Sequence, residues 1–143
     1  MARRVISIPN APKMPFSPAI KTDQYVFVSG QAGFYEPKTG EEINGIETQT
    51  KQTLENMKEV LEAAGSSLGD VVKVTVFLRN ADHFDKMNEI YASYFSKDYP
   101  ARSTVIAALV LPQMLIEMEC IAYHPSRKCR LCQGLRRFIT FSR

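Results

Sequence analysis

Arg102, Glu117 and Glu119 are the residues of this chain best suited to polar chemistry. Arg102 stands in Pro100-Ala101-Arg102-Ser103, which opens a strand, and the two glutamates lie two positions apart on the next one. Side chains two apart on a strand share a face and sit about 7 Å from each other. A guanidinium matches a carboxylate with two parallel hydrogen bonds, and a carboxylate shielded from water can serve as a base. Two acids inside an interface also need a partner, because unpaired buried charge is costly. Arg102 supplies one. Two explanations therefore stand open: a plain salt bridge, the commoner case, or a catalytic pair.

Other chemistries have little to work with. The chain has no phosphate-cradling glycine loop, no dinucleotide fingerprint and no histidine pair at metal spacing. His83 and His124 are its only histidines, too few for the usual nucleophilic triads. His83 falls in the first turn of a helix and reads as a solvated or capping residue. The odd set Cys120, Cys129 and Cys132 argues against a secreted disulfide framework. Cys129 and Cys132 form one C-x-x-C, but structural zinc takes four ligands and only His124 offers a third. They read as two thiols in a basic tail. No metal and no cofactor is expected.

The elements that must position Arg102 and Glu117 follow from hydrophobic spacing. Strands are predicted at Val5–Ile8, Tyr25–Ser29, Val71–Leu78, Ser103–Val110 and Leu115–Tyr123, with an extended proline-rich connection over Asn10–Pro18. One helix is predicted from about Gly45 to Ala64, with Ile46, Thr50, Leu54, Met57, Leu61 and Ala64 on one face and Gly65 as its stop. A second follows Asn80 as its cap and lines up Phe84, Met87, Tyr91, Tyr94 and Phe95. This order predicts an α+β fold, one sheet with both helices on one face. Val72, Val74, Val76, Leu78 and Ile116, Met118, Cys120, Ala122 should face the helices. The opposite face then keeps Val71, Phe77, Leu115, Ile121 and Tyr123 beside Glu117 and Glu119. No third helix is available to cover it, so a homo-oligomer is expected.

Charge separates a body from a tail. Residues 1–123 hold 12 Lys/Arg and 15 Asp/Glu, a net charge of −3, whereas residues 124–143 hold six Lys/Arg and no acid. The body has no basic cluster of the kind nucleic acid requires. No apolar run is long enough to span a membrane and no signal-peptide core is present, which points to a cytoplasmic protein without a membrane partner.

Across about residues 5–123 the sequence resembles the RidA family, also called YjgF or L-PSP. The resemblance is carried by Asn10-Ala11-Pro12, Ser29-Gly30-Gln31, Leu54-Glu55-Asn56-Met57 with Ala63-Ala64-Gly65, and Gly69-Asp70-Val71-Val72-Lys73 with Val76-Phe77. Its most specific pieces are Pro100-Ala101-Arg102-Ser103, Leu111-Pro112 and Ile116-Glu117-Met118-Glu119, in that order and spacing. The resemblance implies a chorismate-mutase-like homotrimer with clefts between subunits. It also implies a cofactor-free deaminase that hydrolyses reactive enamines and imines such as 2-iminobutanoate and 2-iminopropanoate. Arg102 would then bind the carboxylate of the imine substrate and Glu117 would activate the attacking water. Ser29, Gly30, Thr104 and Phe16 would line the cleft. Phe16 follows Met14-Pro15 where much of the family has Tyr after Gly-Pro, and Thr104 stands where deaminating members often have Cys. The domain is thus read as 1–123, with 124–143 a basic tail outside the resemblance. The competing functions are an L-PSP-type endoribonuclease, for which the tail is the only basic feature, and a non-catalytic trimer that binds a small carboxylate or a partner protein.

Overall fold

Ile46–Ala63 forms the long helix α1 because its apolar residues recur every three or four positions; Leu54, Met57, Val60 and Leu61 are fully buried. Gly45 precedes it and Gly65 ends it, both at positive φ where a side chain would be strained. The computed structural model describes residues 2–9, 13–95 and 97–124. The strands are β1 (Arg4–Ile6), β2 (Ala19–Lys21), β3 (Tyr25–Gln31), β4 (Val71–Leu78), β5 (Ala101–Ile106) and β6 (Ile116–Tyr123), with α2 at Phe84–Tyr94. They build one mixed sheet in the order β1-β2-β3-β6-β4-β5. Only β4 and β5 pair in parallel, joined through α2, and the other neighbours are antiparallel.

Both helices lie on one face, α1 against β3, β6 and α2. The core between them contains Val26, Val74, Val76, Leu78, Ile116, Met118, Cys120 and Ala122, as the alternation in β4 and β6 predicts. One stretch departs from that alternation. The pairing of β4 with β6 shifts between Val71 and Lys73, so Val71 is buried at 7% exposure while Val72 stands out at 45%. A bulge inserts one residue and reverses the facing of everything before it, so Val71 belongs to the core, not to the uncovered face. Leu115 also leaves that face: it precedes β6 and packs against the core.

Phe77, Ile121 and Tyr123 do lie on the helix-free face. Cross-strand pairing adds Tyr25, Phe27 and Val105 to them, each more than a third exposed. The strand predicted at Ser103–Val110 instead runs over Ala101–Ile106, and β2 has no counterpart among the predicted strands. Asn10–Pro12 and residues 125–143, including Cys129 and Cys132, lie outside the described residues.

Candidate functional site

Arg102 takes its direction from its neighbour in the sheet. It pairs with Val74 of β4, and Thr104 pairs with Val76. Both valines are fully buried beneath the helices, so Arg102 and Thr104 point to the helix side. There α2 presents Phe84, Met87, Asn88 and Tyr91, spaced to share one helical face. Arg102 Nη2 donates to Asn88 Oδ1 at 2.7 Å, and Nη1 lies 3.9 Å from Met87 Sδ. The guanidinium carbon sits 4.7 Å from the centre of the Tyr91 ring and 5.8 Å from that of Phe84. Aromatic faces attract a cation at these distances. The Tyr91 hydroxyl is buried without a hydrogen-bond partner, and burial pushes its pKa up to about 12. A cleft of about 370 Å³ opens here, lined by Arg102, Asn88, Tyr91, Tyr99 and Pro100.

Glu117 sits on the other side of the sheet. It pairs with Phe77 on the helix-free face, and its carboxylate lies directly over Gly30, where any Cβ would overlap Oε1. A side chain at position 30 would push this carboxylate from its place. Burial raises the Glu117 pKa above the ordinary carboxylate range, and the nearby Glu119 raises it further. Glu117 and Gly30 line a second cleft, of about 730 Å³, together with Phe16, Gln31 and Met114. Ser29 stands behind this wall. Its hydroxyl donates to the Ser17 carbonyl at 2.7 Å and its N–H to the Pro18 carbonyl at 3.0 Å, which braces the loop that carries Phe16.

The expected residues therefore fall into two groups. Glu117, Gly30 and Phe16 meet around one cleft with Ser29 behind them, while Arg102 and Thr104 lie on the opposite face. The salt bridge between Arg102 and the glutamates does not form within the chain. Among the described residues the one ion pair joins Lys86 to Glu47 at 2.9 Å on the surface. Sequence reasoning missed Asn88, which holds Arg102. The available signal was its position four residues after Phe84 and three before Tyr91, on the flank of the apolar stripe. Among the described residues no three His, Cys, Asp or Glu side chains gather as a possible metal site, and no helix is long and apolar enough to cross a membrane.

Comparison with known proteins adds an independent line. The family model described as Endoribonuclease L-PSP matches residues 8–124. A RutC family protein of Pyrococcus horikoshii is 50% identical over 124 residues, covering 85% of this chain and 98% of the relative. A human 2-iminobutanoate/2-iminopropanoate deaminase is 39% identical over 125 residues, covering 85% of this chain and 90% of the relative. Among solved structures, Escherichia coli TdcF with bound serine superposes with a TM-score of 0.78 at 34% identity, covering 85% of this chain and 98% of that one.

Proposed function

Because the chain belongs to the L-PSP endoribonuclease family, the RidA or YjgF family of the sequence comparison, we propose that it is a deaminase that hydrolyses 2-imino acids and their enamine tautomers. The observation that carries this is the Glu117 carboxylate, seated on Gly30, drawn partly out of water and facing a cleft of ligand size. Similarity to the human imine deaminase and to a relative that holds serine supports a small, carboxylate-bearing substrate.

Arg102 and Glu117 lie on opposite faces of one sheet. A site that uses both must take the arginine from one protomer and the glutamate from another. The exposed aromatic and aliphatic residues of the helix-free face fit burial between copies, in a chorismate-mutase-like homotrimer. In that assembly Arg102, with Thr104 beside it, would hold the substrate carboxylate bidentately. Glu117 would take a proton from water as the water oxygen bonds to the protonated imine carbon. The resulting carbinolamine collapses when its nitrogen receives that proton: the freed Glu117 carboxylate accepts the hydroxyl proton as the C=O bond forms, the C–N bond breaks, ammonia leaves and a 2-keto acid remains. A carboxyl with a raised pKa suits both halves of this shuttle. Phe16, Ser29 and Gly30 would shape the cleft.

Freshly generated 2-aminoacrylate provides the test. Purified protein should accelerate ammonia release well above the spontaneous rate. No acceleration would leave a carboxylate-binding trimer as the function, and cleavage of RNA in its place would favour the endoribonuclease.

A further inference from the structure

Two connecting segments flank Glu117. Residues 32–45 join β3 to α1, and residues 107–115 join β5 to β6. Phe34 and Lys38 of the first and Met114 of the second line the same cleft as the carboxylate. The first segment folds back on itself: the Ile43 N–H donates to the Phe34 carbonyl at 2.8 Å and the Glu36 N–H to the Glu41 carbonyl at 2.9 Å. Among the described residues no main-chain hydrogen bond joins one segment to the other.

Gln49, in the first turn of α1, joins them. Its Nε2 donates to the Ile43 carbonyl at 2.8 Å and to the Gln113 carbonyl at 2.9 Å, and its Oε1 accepts from the Leu115 N–H at 2.9 Å. Both amide hydrogens are used, one on each segment. Leu115 stands two residues before Glu117, and its carbonyl accepts from the Arg79 N–H at 3.0 Å, so both of its main-chain groups are held. The Arg79 side chain also donates to the carbonyls of Met114 and Leu111, each at 2.5 Å. The second segment therefore keeps an anchor of its own when Gln49 is changed. Two donors and an acceptor on one planar, uncharged group are what an amide offers; a methionine of similar length offers no donor, and a protonated glutamic acid offers one. Gln49 is 1% exposed and all its partners lie within the chain. A second copy against Glu117 leaves these bonds as they are, and substrate does not reach them.

Resting on the deaminase reading above, we infer that Gln49 is a positioning residue for Glu117: by tying both flanking segments to α1, its amide sets where the carboxylate stands relative to the attacking water. The substrate carboxylate falls to Arg102, on the opposite face of the sheet and outside the clamp. Loss of the clamp therefore lowers kcat and spares KM. A clamp that served stability alone would lower the melting temperature and leave each folded molecule as active as before.

The test uses the full chain and 2-iminobutanoate, formed in place by an L-amino-acid oxidase with oxygen and catalase. Ammonia release is measured well below the lowest melting temperature and expressed per folded molecule. Gln49→Met should lower kcat by about 10- to 100-fold, since a displacement of about 1 Å costs on the order of 100-fold, with KM within about twofold. In Gln49→Glu the buried carboxyl stays protonated and keeps the Leu115 bond and one of the two carbonyls. Its kcat should fall by only about 3- to 10-fold, the range of one lost hydrogen bond. This variant decides the matter should Gln49→Met fail to fold. A kcat equal to wild type in the folded variants, whatever their melting temperatures, overturns the inference while the deaminase stands, and so does a raised KM at unchanged kcat. Absence of hydrolysis by the wild type overturns the deaminase proposal, and the role of Gln49 with it.

Discussion

Arg102 and Glu117 are prepared in opposite ways by the two faces of the sheet. On the helix side, one face of α2 supplies a hydrogen-bond acceptor, a sulfur and two rings to the guanidinium. Its orientation is complete within a single chain. On the other side Glu117 has a glycine beneath it, Glu119 nearby and an exposed face around it. A single chain can fix the geometry of an arginine, but it leaves this carboxylate only partly dry. Full exclusion of water, on which a strongly acting base depends, requires another surface. In the proposed assembly a second copy on the helix-free face would supply that surface.

Substitutions on the two faces should separate these roles. Glu117→Gln keeps shape and removes the base, and imine hydrolysis should fall by about 100- to 10,000-fold with the fold intact in a thermal melt. Arg102→Ala should cost less. A charge-assisted contact is worth about 1.5–3 kcal/mol, or roughly 10- to 150-fold in kcat/KM, and a concentrated substrate should recover part of it. Near wild-type rates in both variants would reduce the two faces to plain packing surfaces.

Glu117 also gives a prediction about stability, and its sign is fixed by the direction of the pKa shift. Folding raises the carboxyl pKa, so the folded state favours the protonated form. That advantage is fully present below the ordinary carboxylate range and is lost as pH rises through the raised value. The amide that Glu117→Gln introduces does not titrate. The melting temperature of this variant relative to wild type should therefore climb as pH rises from about 4, then flatten. A constant difference across that window would mean that the carboxylate is not desolvated. The smallest effect is expected from removing residues 125–143. The core already closes at Ala122, and the His124 N–H donates to the Gln24 carbonyl at 2.7 Å. Truncation after His124 should leave the melting temperature and activity nearly unchanged.

Both helices and the inward residues of β6 were legible because burial on one side imposes a period that sequence records directly. Ile46, Leu54, Met57 and Leu61, and Met118 and Cys120, are buried where their spacing puts them. Features set by pairing were not legible. β2 is only Ala19-Ile20-Lys21, too short to show a period, and exists because β1 and β3 bond to either side of it. The bulge at Val71–Lys73 has no residue signature and reverses which valine is inside. The facing of Arg102 follows from the register of β5 on β4, which local sequence does not specify. Residue type and order drew attention to Arg102 and Glu117, while their separation by the sheet was not legible.

That separation yields the most direct test. Arg102→Ala and Glu117→Gln protein, each nearly inactive, can be mixed under conditions that allow subunit exchange and then assayed on 2-aminoacrylate. A shared site draws its arginine and its glutamate from different copies. In an equal mixture each is intact in half of the draws, so activity should return to about a quarter of wild type. Activity no greater than the average of the two variants alone would show that no site combines Arg102 of one protomer with Glu117 of another.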